Sequence, residues 1–192
     1  DLLEVYEKRR SVNFFFFFKE IPQDVLENIV NKAVLAPSAF NLQPWEIIVV
    51  KSKENKEKLC KLSNNQEKIL DGSLTLMIVG NKNGFATDSP VWDEMLVSLG
   101  GNKEAVAGAQ GAAGFLYGSS EERKIKFAES NAGLLGMSIM NMATYYGVDS
   151  HPMSGVDFEG IERDFELGEE KNLVMLIVLG YFDKSKVLYE EI

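Results

Sequence analysis

The amino-acid sequence predicts a single domain, residues 1–192, in which helices and strands share one core. Three short and nearly continuous apolar runs, at residues 47–50, 74–79 and 173–179, have the length and branched composition of strands buried on both faces of a sheet. Longer segments around them repeat apolar residues with the 3.6-residue period of a helix. With 192 residues, 45% of them hydrophobic, the chain is large enough for one substantial core and short for two.

The first half of the chain is predicted to contain three helices. Residues 2–9 form a short helix with most of its apolar residues on one side. Residues 23–35 form a better marked helix, because Pro22 suits its first turn and Asp24 suits its positive end. A charged helix at residues 54–62 connects the first two strands.

A run of five phenylalanines, residues 14–18, falls in the expected loop between the first two helices. An exposed patch of this kind promotes aggregation. Either a partner covers the run or this stretch departs from the natural sequence, and we assign it no function.

The longest helix is predicted at residues 121–146, and its second half is apolar or small on almost every side. Such a helix is buried on most sides. Gly133 and Gly136 weaken it by about 1 kcal/mol each relative to alanine. We therefore expect them to admit a closely packed helix, in this chain or in a second subunit. Gly147 predicts the end of the helix, and His151 is expected in the loop that follows.

The composition excludes several classes of protein. The formal net charge of −9 argues against a nucleic-acid partner, because such binding depends on clustered Lys and Arg. The single cysteine, Cys60, and the single histidine, His151, are too few for a metal cluster or an internal disulfide. No apolar stretch of membrane-spanning length and no export signal is visible, so we expect a cytoplasmic protein without a membrane partner.

Two segments in the first quarter of the chain can bind a ligand. Arg9, Arg10 and Ser11 offer forked cationic donors and a hydroxyl that suit a phosphate, provided that the chain leaves the helix there. Adjacent arginines are also common on solvated surfaces. Residues 36–45 place small and amide residues between a helix and a strand, either to bind a ligand or only to satisfy the connection.

Two later segments have the same character. Asn65 and Lys68 offer an amide and a cation that can hold the edge of a heterocycle, or they simply cap a helix with a solvated lysine. No spacing around His151 supports a nucleophilic triad, so this histidine is expected only to form hydrogen bonds. Gly155 would let a flat ligand reach the backbone N–H.

In their order and spacing, these segments resemble the nitroreductase family of flavin enzymes. The matching stretches are Arg-Arg-Ser-Val at residues 9–12, Ala-Pro-Ser-Ala-Phe-Asn-Leu-Gln-Pro-Trp at 36–45, Asn-Gln-Glu-Lys-Ile at 65–69 and His-Pro-Met-Ser-Gly at 151–155. No single stretch is decisive, but four in register are hard to obtain by accident. The resemblance covers roughly residues 2–180.

The resemblance implies an α+β fold with a central, mostly antiparallel sheet flanked by helices, in an intertwined homodimer that binds FMN at the subunit interface. It also implies that hydride passes from NADH or NADPH to flavin N5. An electron-poor small molecule, such as a nitroaromatic or a quinone, then accepts the hydride in a ping-pong cycle. Because the flavin carries the chemistry, no catalytic side chain is expected.

The resemblance further implies which residues bind FMN. The arginine segment is similar to a grip on the phosphate and ribityl chain, and Asn65 and Lys68 are similar to a pair at the pyrimidine side of the ring. The last segment would cover one ring face, with a backbone N–H near Gly155 directed at N5. The full implied set is Arg9, Arg10, Ser11, Pro37, Ser38, Ala39, Asn41, Asn65, Lys68, Pro152, Met153, Ser154, Gly155, Lys184 and Lys186, with residues 37–41 contributed by the other subunit.

Two departures from the family pattern leave alternatives open. Several relatives have an acidic residue where this chain has Ser154, and the cations expected beyond the last strand are represented by Lys184 and Lys186 on a short tail. The alternatives keep the fold and the flavin but change the chemistry to flavin cleavage, dehalogenation or heterocycle oxidation, or they bind flavin without turnover. The acceptor pocket is expected to be lined by residues 85–115, within which we favour a core position for Phe115.

Overall fold

The fold is built on one four-stranded antiparallel sheet with the strand order β1-β2-β4-β3. The computed structural model describes residues 1–17 and 19–187. The strands are β1 (Trp45–Val50), β2 (Leu74–Asn81), β3 (Asp149–Met153) and β4 (Lys171–Gly180). The expected α+β class with a central antiparallel sheet is therefore confirmed.

Helices precede, connect and cover the strands. In chain order they are α1 (Leu2–Lys8), α2 (Gln23–Ala33), a short 3₁₀ helix (Ala39–Asn41), α3 (Lys53–Lys61), α4 (Lys68–Asp71), α5 (Val91–Ser98), α6 (Lys103–Tyr117), α7 (Glu121–Tyr145) and α8 (Phe158–Asp164). The four helices predicted from the sequence correspond to α1, α2, α3 and α7. Within residues 1–17 and 19–187, no helix has the length and apolarity that a membrane crossing requires.

The core lies on both faces of the sheet. Successive side chains of a strand point to opposite faces, and β2 divides accordingly. Leu76 and Ile78 pack with α2 and α7, whereas Met77 and Val79 pack with α3, α4 and α8. Both faces of the central strands are therefore covered by helices.

The strand predictions are wrong in two places. Residues 149–153 form the edge strand β3 rather than a loop, and an edge strand tolerates Pro152 because part of its backbone lies outside the ladder. β1 lies at the opposite edge, where Val49 is 45% exposed, so β1 is not buried on both faces. Apolar composition does not record strand order, and it cannot tell an edge strand from a central one.

The two glycines of α7 have different surroundings. A Cβ atom at Gly136 would lie 2.9 Å from Met175 Sδ, so its close neighbour is strand β4 and not the helix that we expected. A Cβ atom at Gly133 would meet no atom within 4 Å, and the adjacent Leu134 is 48% exposed. α7 is therefore buried against the sheet on one side and open on the other.

The phenylalanine run is divided between core and surface. Phe15 is 5% exposed, packs in the core with α3 and α8, and forms a bridge with Phe182 just beyond β4. More than 40% of the side chain is exposed at Phe14, Phe16 and Phe17. Phe18 lies outside the described residues.

Phe115 is 81% exposed, so the core position that we favoured for it is wrong. Ala113 on the same helix, α6, is fully buried, and two residues later the helix has turned by about 200°. Trp92 of α5 is 2% exposed and packs with Ala113 in a third cluster.

Candidate functional site

Residues 9–13 leave α1 and run beside β3. Arg9 is extended, with φ −62° and ψ 122°, which confirms that the chain turns out of the helix at the arginines. Val12 N–H donates to the carbonyl of Ser150 at 3.1 Å, and Ser11 forms a bridge with Ser150. Arg10 is exposed and its Nη1 donates to the carbonyl of Arg9 at 2.8 Å. A guanidinium has five N–H donors, so Arg10 retains donors for a ligand at this edge.

Lys68, the first residue of α4, is held by two other segments. Its Nζ donates to Asn13 Oδ1 at 2.9 Å and lies 3.2 Å from His151 Nε2. The side chain is half-buried, and burial lowers the pKa of Lys68 below its ordinary value. Interpreting Lys68 as a solvated lysine is therefore wrong. An ammonium has three N–H donors, and Asn13 and His151 accept two of them.

His151 lies on β3 and connects it to residues 9–13. Its Nδ1 is 2.9 Å from the carbonyl oxygen of Val12. Burial, followed by the charge of Lys68, lowers the pKa of His151, and the hydrogen bond to Val12 opposes this shift. The imidazole is therefore held neutral more strongly than a free histidine.

The carbonyl of Gly155 joins the turn after α3 to the end of β3. Asn64 Nδ2 and Gln66 Nε2 donate to it at 2.9 and 3.1 Å. Asn65, in the same turn, is exposed and has φ 54°, which asparagine tolerates. A Cβ atom at Gly155 would meet no atom within 4 Å, and in the described chain its N–H donates to no residue. The open space and the available N–H suit a flat ligand.

Pro152, Met153 and Ser154 lead from β3 to Gly155. Met153 is 5% exposed and packs in the core, so only its backbone can face a ligand. Pro152 is half-buried, and Ser154 is exposed. The stretch therefore offers backbone groups and one hydroxyl.

Residues 37–41 are anchored elsewhere in the molecule. Ala39 N–H donates to Asn131 Oδ1 at 2.8 Å, and Ser38 Oγ accepts from Gln43 N–H at 2.9 Å. Pro37 and Asn41 are exposed. A cavity of about 220 Å³ connects this segment to α5, and its lining is Phe40, Asn41, Val91, Glu94, Met95 and Ser98. Part of the expected pocket segment, residues 85–115, therefore lies beside Asn41.

Within one chain, the four segments do not form a single cage. Residues 9–13, 64–68 and 151–155 meet at the β3 edge of the sheet, whereas residues 37–41 precede β1 at the other edge. Three strand spacings of about 4.8 Å separate the two edges, which is about 14 Å. Asn41 of the same chain therefore lies across the sheet from Gly155.

Lys184 and Lys186 are exposed in a turn that follows β4. The turn is attached to the phenylalanine run, because Asp183 N–H donates to the carbonyl of Phe14 at 3.0 Å. This hydrogen bond brings the turn next to Phe14, the residue that follows the 9–13 segment. The end of the tail, residues 188–192, lies outside the described residues.

Four residues that hold these segments were missed in the sequence analysis: Asn13, Asn64, Gln66 and Asn131. Asn13 is identified only by its contact with Lys68, and Asn64 and Gln66 only by their contacts with Gly155. Asn131 is 5% exposed on the apolar half of α7, and a buried amide there was a usable signal because buried polar groups require partners.

Comparison with known protein families covers almost the whole chain. The sequence model described as "Nitroreductase family" matches residues 6–181. The chain belongs to the nitroreductase family. The resemblance inferred from the four segments is thereby confirmed.

Three relatives of this nitroreductase family member are informative. "Putative NAD(P)H nitroreductase YdgI" of Bacillus subtilis is 30% identical over 186 residues, which cover 94% of this chain and 88% of that protein. "CLA biosynthesis enone reductase" of Lactiplantibacillus plantarum is 30% identical over 184 residues, which cover 94% and 85%. The crystal structure of a "putative NAD(P)H:FMN oxidoreductase" from Staphylococcus epidermidis is 26% identical, has a TM-score of 0.88, and aligns over 100% of this chain and 92% of that one.

Proposed function

We propose that this member of the nitroreductase family is an FMN-dependent enzyme that oxidises NADH or NADPH and reduces an electron-poor small molecule. The proposal rests on the assembly of residues 9–13, 64–68 and 151–155 along the β3 edge, in a chain of this family. Bound FMN would supply the redox chemistry, accepting hydride at N5 and releasing it in a second half-reaction. The proposed enzyme is one domain and acts in the cytoplasm, where Cys60 stays reduced.

The residues at the β3 edge fit the chemical groups of FMN. Arg10 retains guanidinium donors for a phosphate, with Ser11 beside it. Lys68 places a half-buried positive charge where it would hold the electron-rich pyrimidine edge of the ring. Gly155 leaves space for the ring and offers a backbone N–H. The task of the chain is positioning and electrostatics, so no side chain needs to act as a nucleophile.

The proposal includes a homodimer in which residues 37–41 of one chain face the β3 edge of the other. This arrangement would complete the site, because these residues lie on the far edge of the sheet in their own chain. The exposed apolar side chains Leu3 (71%) and Leu134 (48%), on the adjoining helices α1 and α7, offer a surface for the second chain. A stable interface needs about 800 Å² from each partner.

The proposal is tested by following the visible absorption of the flavin without oxygen. We expect the purified protein to bind FMN and the bound FMN to bleach when NADH or NADPH is added. Adding a nitroaromatic or a quinone should then restore the absorption. A protein that fails to bind FMN contradicts the proposal, and tight binding without bleaching by either nicotinamide identifies a flavin-binding module instead.

The acceptor class is tested with a small panel. Nitroaromatics and quinones are the proposed acceptors. An α,β-unsaturated ketone belongs in the panel because the relative named an enone reductase is as similar to this chain, at 30% identity, as the relative named an NAD(P)H nitroreductase. Parallel double-reciprocal plots are expected, as for a ping-pong cycle. Rapid bleaching without turnover of any of these acceptors would favour flavin cleavage, dehalogenation or heterocycle oxidation.

A further inference from the structure

The only histidine of the chain is tied to the proposed site, and the proposed function leaves it without a task. His151 contacts Lys68 Nζ through Nε2 at 3.2 Å and the carbonyl of Val12 through Nδ1 at 2.9 Å. We infer that His151 is a positioning residue that orients the Lys68 ammonium for cofactor binding. This inference rests on the proposed function.

The two contacts of the imidazole determine where its proton lies. A backbone carbonyl only accepts, so Nδ1 must carry the proton that is donated to Val12. Nε2 then has a lone pair that accepts one N–H of Lys68. A proton on Nε2 would face the ammonium directly, and the contact would become repulsive. The neutral tautomer with the proton on Nδ1 is the form that satisfies both partners.

His151 acts through Lys68 because it completes the set of acceptors around the ammonium. A lysine on its flexible four-carbon stem has many rotamers, and the two acceptors, Asn13 Oδ1 and His151 Nε2, select one of them. The three N–H bonds of an ammonium have a fixed tetrahedral arrangement. Fixing two of them gives the third a defined direction, which is the direction offered to a ligand.

Two substitutions separate the two contacts of His151. The amide oxygen in His151→Gln can take the place of Nε2 and accept from Lys68, whereas the shorter amide in His151→Asn can replace only the Nδ1 donor to Val12. We expect His151→Asn to weaken FMN binding by about tenfold, the effect of one lost charge-assisted hydrogen bond. It should also make the reduction potential of bound FMN more negative. His151→Gln should retain the affinity within about threefold.

Thermal unfolding without FMN distinguishes positioning from a purely structural role. We expect His151→Asn to lose FMN affinity with little change in Tm. In a Lys68→Met background the same substitution should cause no further loss, because the residue through which it acts is gone. The inference would be overturned if the Gln and Asn variants lost FMN affinity equally and in proportion to a lowered Tm. It would also be overturned if His151→Asn weakened FMN binding further in the Lys68→Met background.

The single histidine also allows a readout that does not depend on FMN. Nitrogen NMR of the imidazole in the FMN-free protein should show a neutral ring with its proton on Nδ1, and the signal of Nε2 should shift in Lys68→Met. A ring protonated on Nε2 would overturn the inference. If the wild-type protein does not bind FMN, or if NADH and NADPH do not reduce the bound FMN, the proposed function is refuted instead, whatever the NMR result.

Discussion

Gly155 is a position at which the described chain itself does not require glycine. A Cβ atom would enter open space, and the backbone is not in the left-handed region. Gly155→Ala is therefore expected to change the free energy of unfolding by no more than about 0.5 kcal/mol. It should still weaken FMN binding, because the methyl group would stand where the ring approaches the backbone. Thermal melting and FMN titration measure the two effects.

Gly108→Ala is the matched control for this prediction. Gly108 lies in the middle of α6, and a Cβ atom there also meets no atom within 4 Å. Alanine should raise helix stability by about 1 kcal/mol and leave FMN affinity unchanged. Unaltered FMN affinity in Gly155→Ala would show that the flavin does not approach this backbone.

The protonation of His151 predicts how stability depends on pH. Burial and the charge of Lys68 hold the pKa of His151 below its ordinary value of 6.5 in the folded protein, and the unfolded chain has the ordinary value. As the pH falls below about 6.5, the unfolded state binds the proton first, so stability decreases until the folded pKa is reached. The contribution to the slope is at most about 1.4 kcal/mol per pH unit.

Urea unfolding of the FMN-free protein across this pH range measures the effect, with His151→Gln as the reference. Glutamine does not titrate, so the variant should lose less stability than the wild type between about pH 7 and pH 5. Lys68 is the charged group that faces the imidazole from α4, while Val12 and Asn13 present oxygens from the 9–13 segment. Identical slopes in the two proteins would show that His151 titrates normally.

At the level of elements, one buried amide connects α7 to the segment before β1. Asn131 Oδ1 accepts from Ala39 N–H at 2.8 Å, and its Nδ2 donates to the carbonyl of Phe127 at 2.7 Å. Asn131→Ala leaves Ala39 N–H without its acceptor and should lower the free energy of unfolding by about 1–3 kcal/mol. Asn28→Ala, on the exposed side of α2, should change it by no more than about 0.5 kcal/mol. Urea denaturation measures the free energy of unfolding of both variants. Equal losses in the two would contradict the role of Asn131 as an anchor for Ala39.

The elements that could be predicted from the sequence are those whose residue pattern lies within one continuous segment. α2 and α7 follow the helical period over many residues, so their position in the chain does not depend on what packs against them. β3 has polar residues and Pro152, and it becomes a strand because β4 supplies its hydrogen-bond partners. The lesson from β3 is that a short edge strand is determined by its neighbour more than by its own composition.

At the level of the whole molecule, the proposed homodimer predicts a link between assembly and cofactor binding. Wild-type protein should sediment with the mass of two chains. Leu134→Glu places a charge on the exposed side of α7, so it should shift the protein toward monomer and weaken FMN binding. Both effects are expected together because residues 37–41 would come from the second chain.

Asn55→Glu adds the same charge on the exposed start of α3 and should change neither property. Sedimentation and FMN titration of the two variants measure the link. A wild-type monomer that binds FMN tightly would contradict the two-chain site, and so would a monomeric Leu134→Glu variant with full affinity.

The sequence by itself determined local features of this protein: the helices α1, α2, α3 and α7, the two central strands and the four segments that resemble the nitroreductase family. These follow from spacing within short windows, which period and composition record directly. The site could be predicted as a set of segments, but the contacts between them could not.

Only the tertiary structure decided the strand order, the exposure of Phe115 and the contacts of Lys68. Lys68 meets Asn13 and His151 across 55 and 83 residues of chain, and His151 meets Val12 across 139. Periodicity shows which side of an element is buried, but it does not show which distant element covers that side. Contacts of this range depend on how the whole chain packs around the sheet, and no local pattern encodes them.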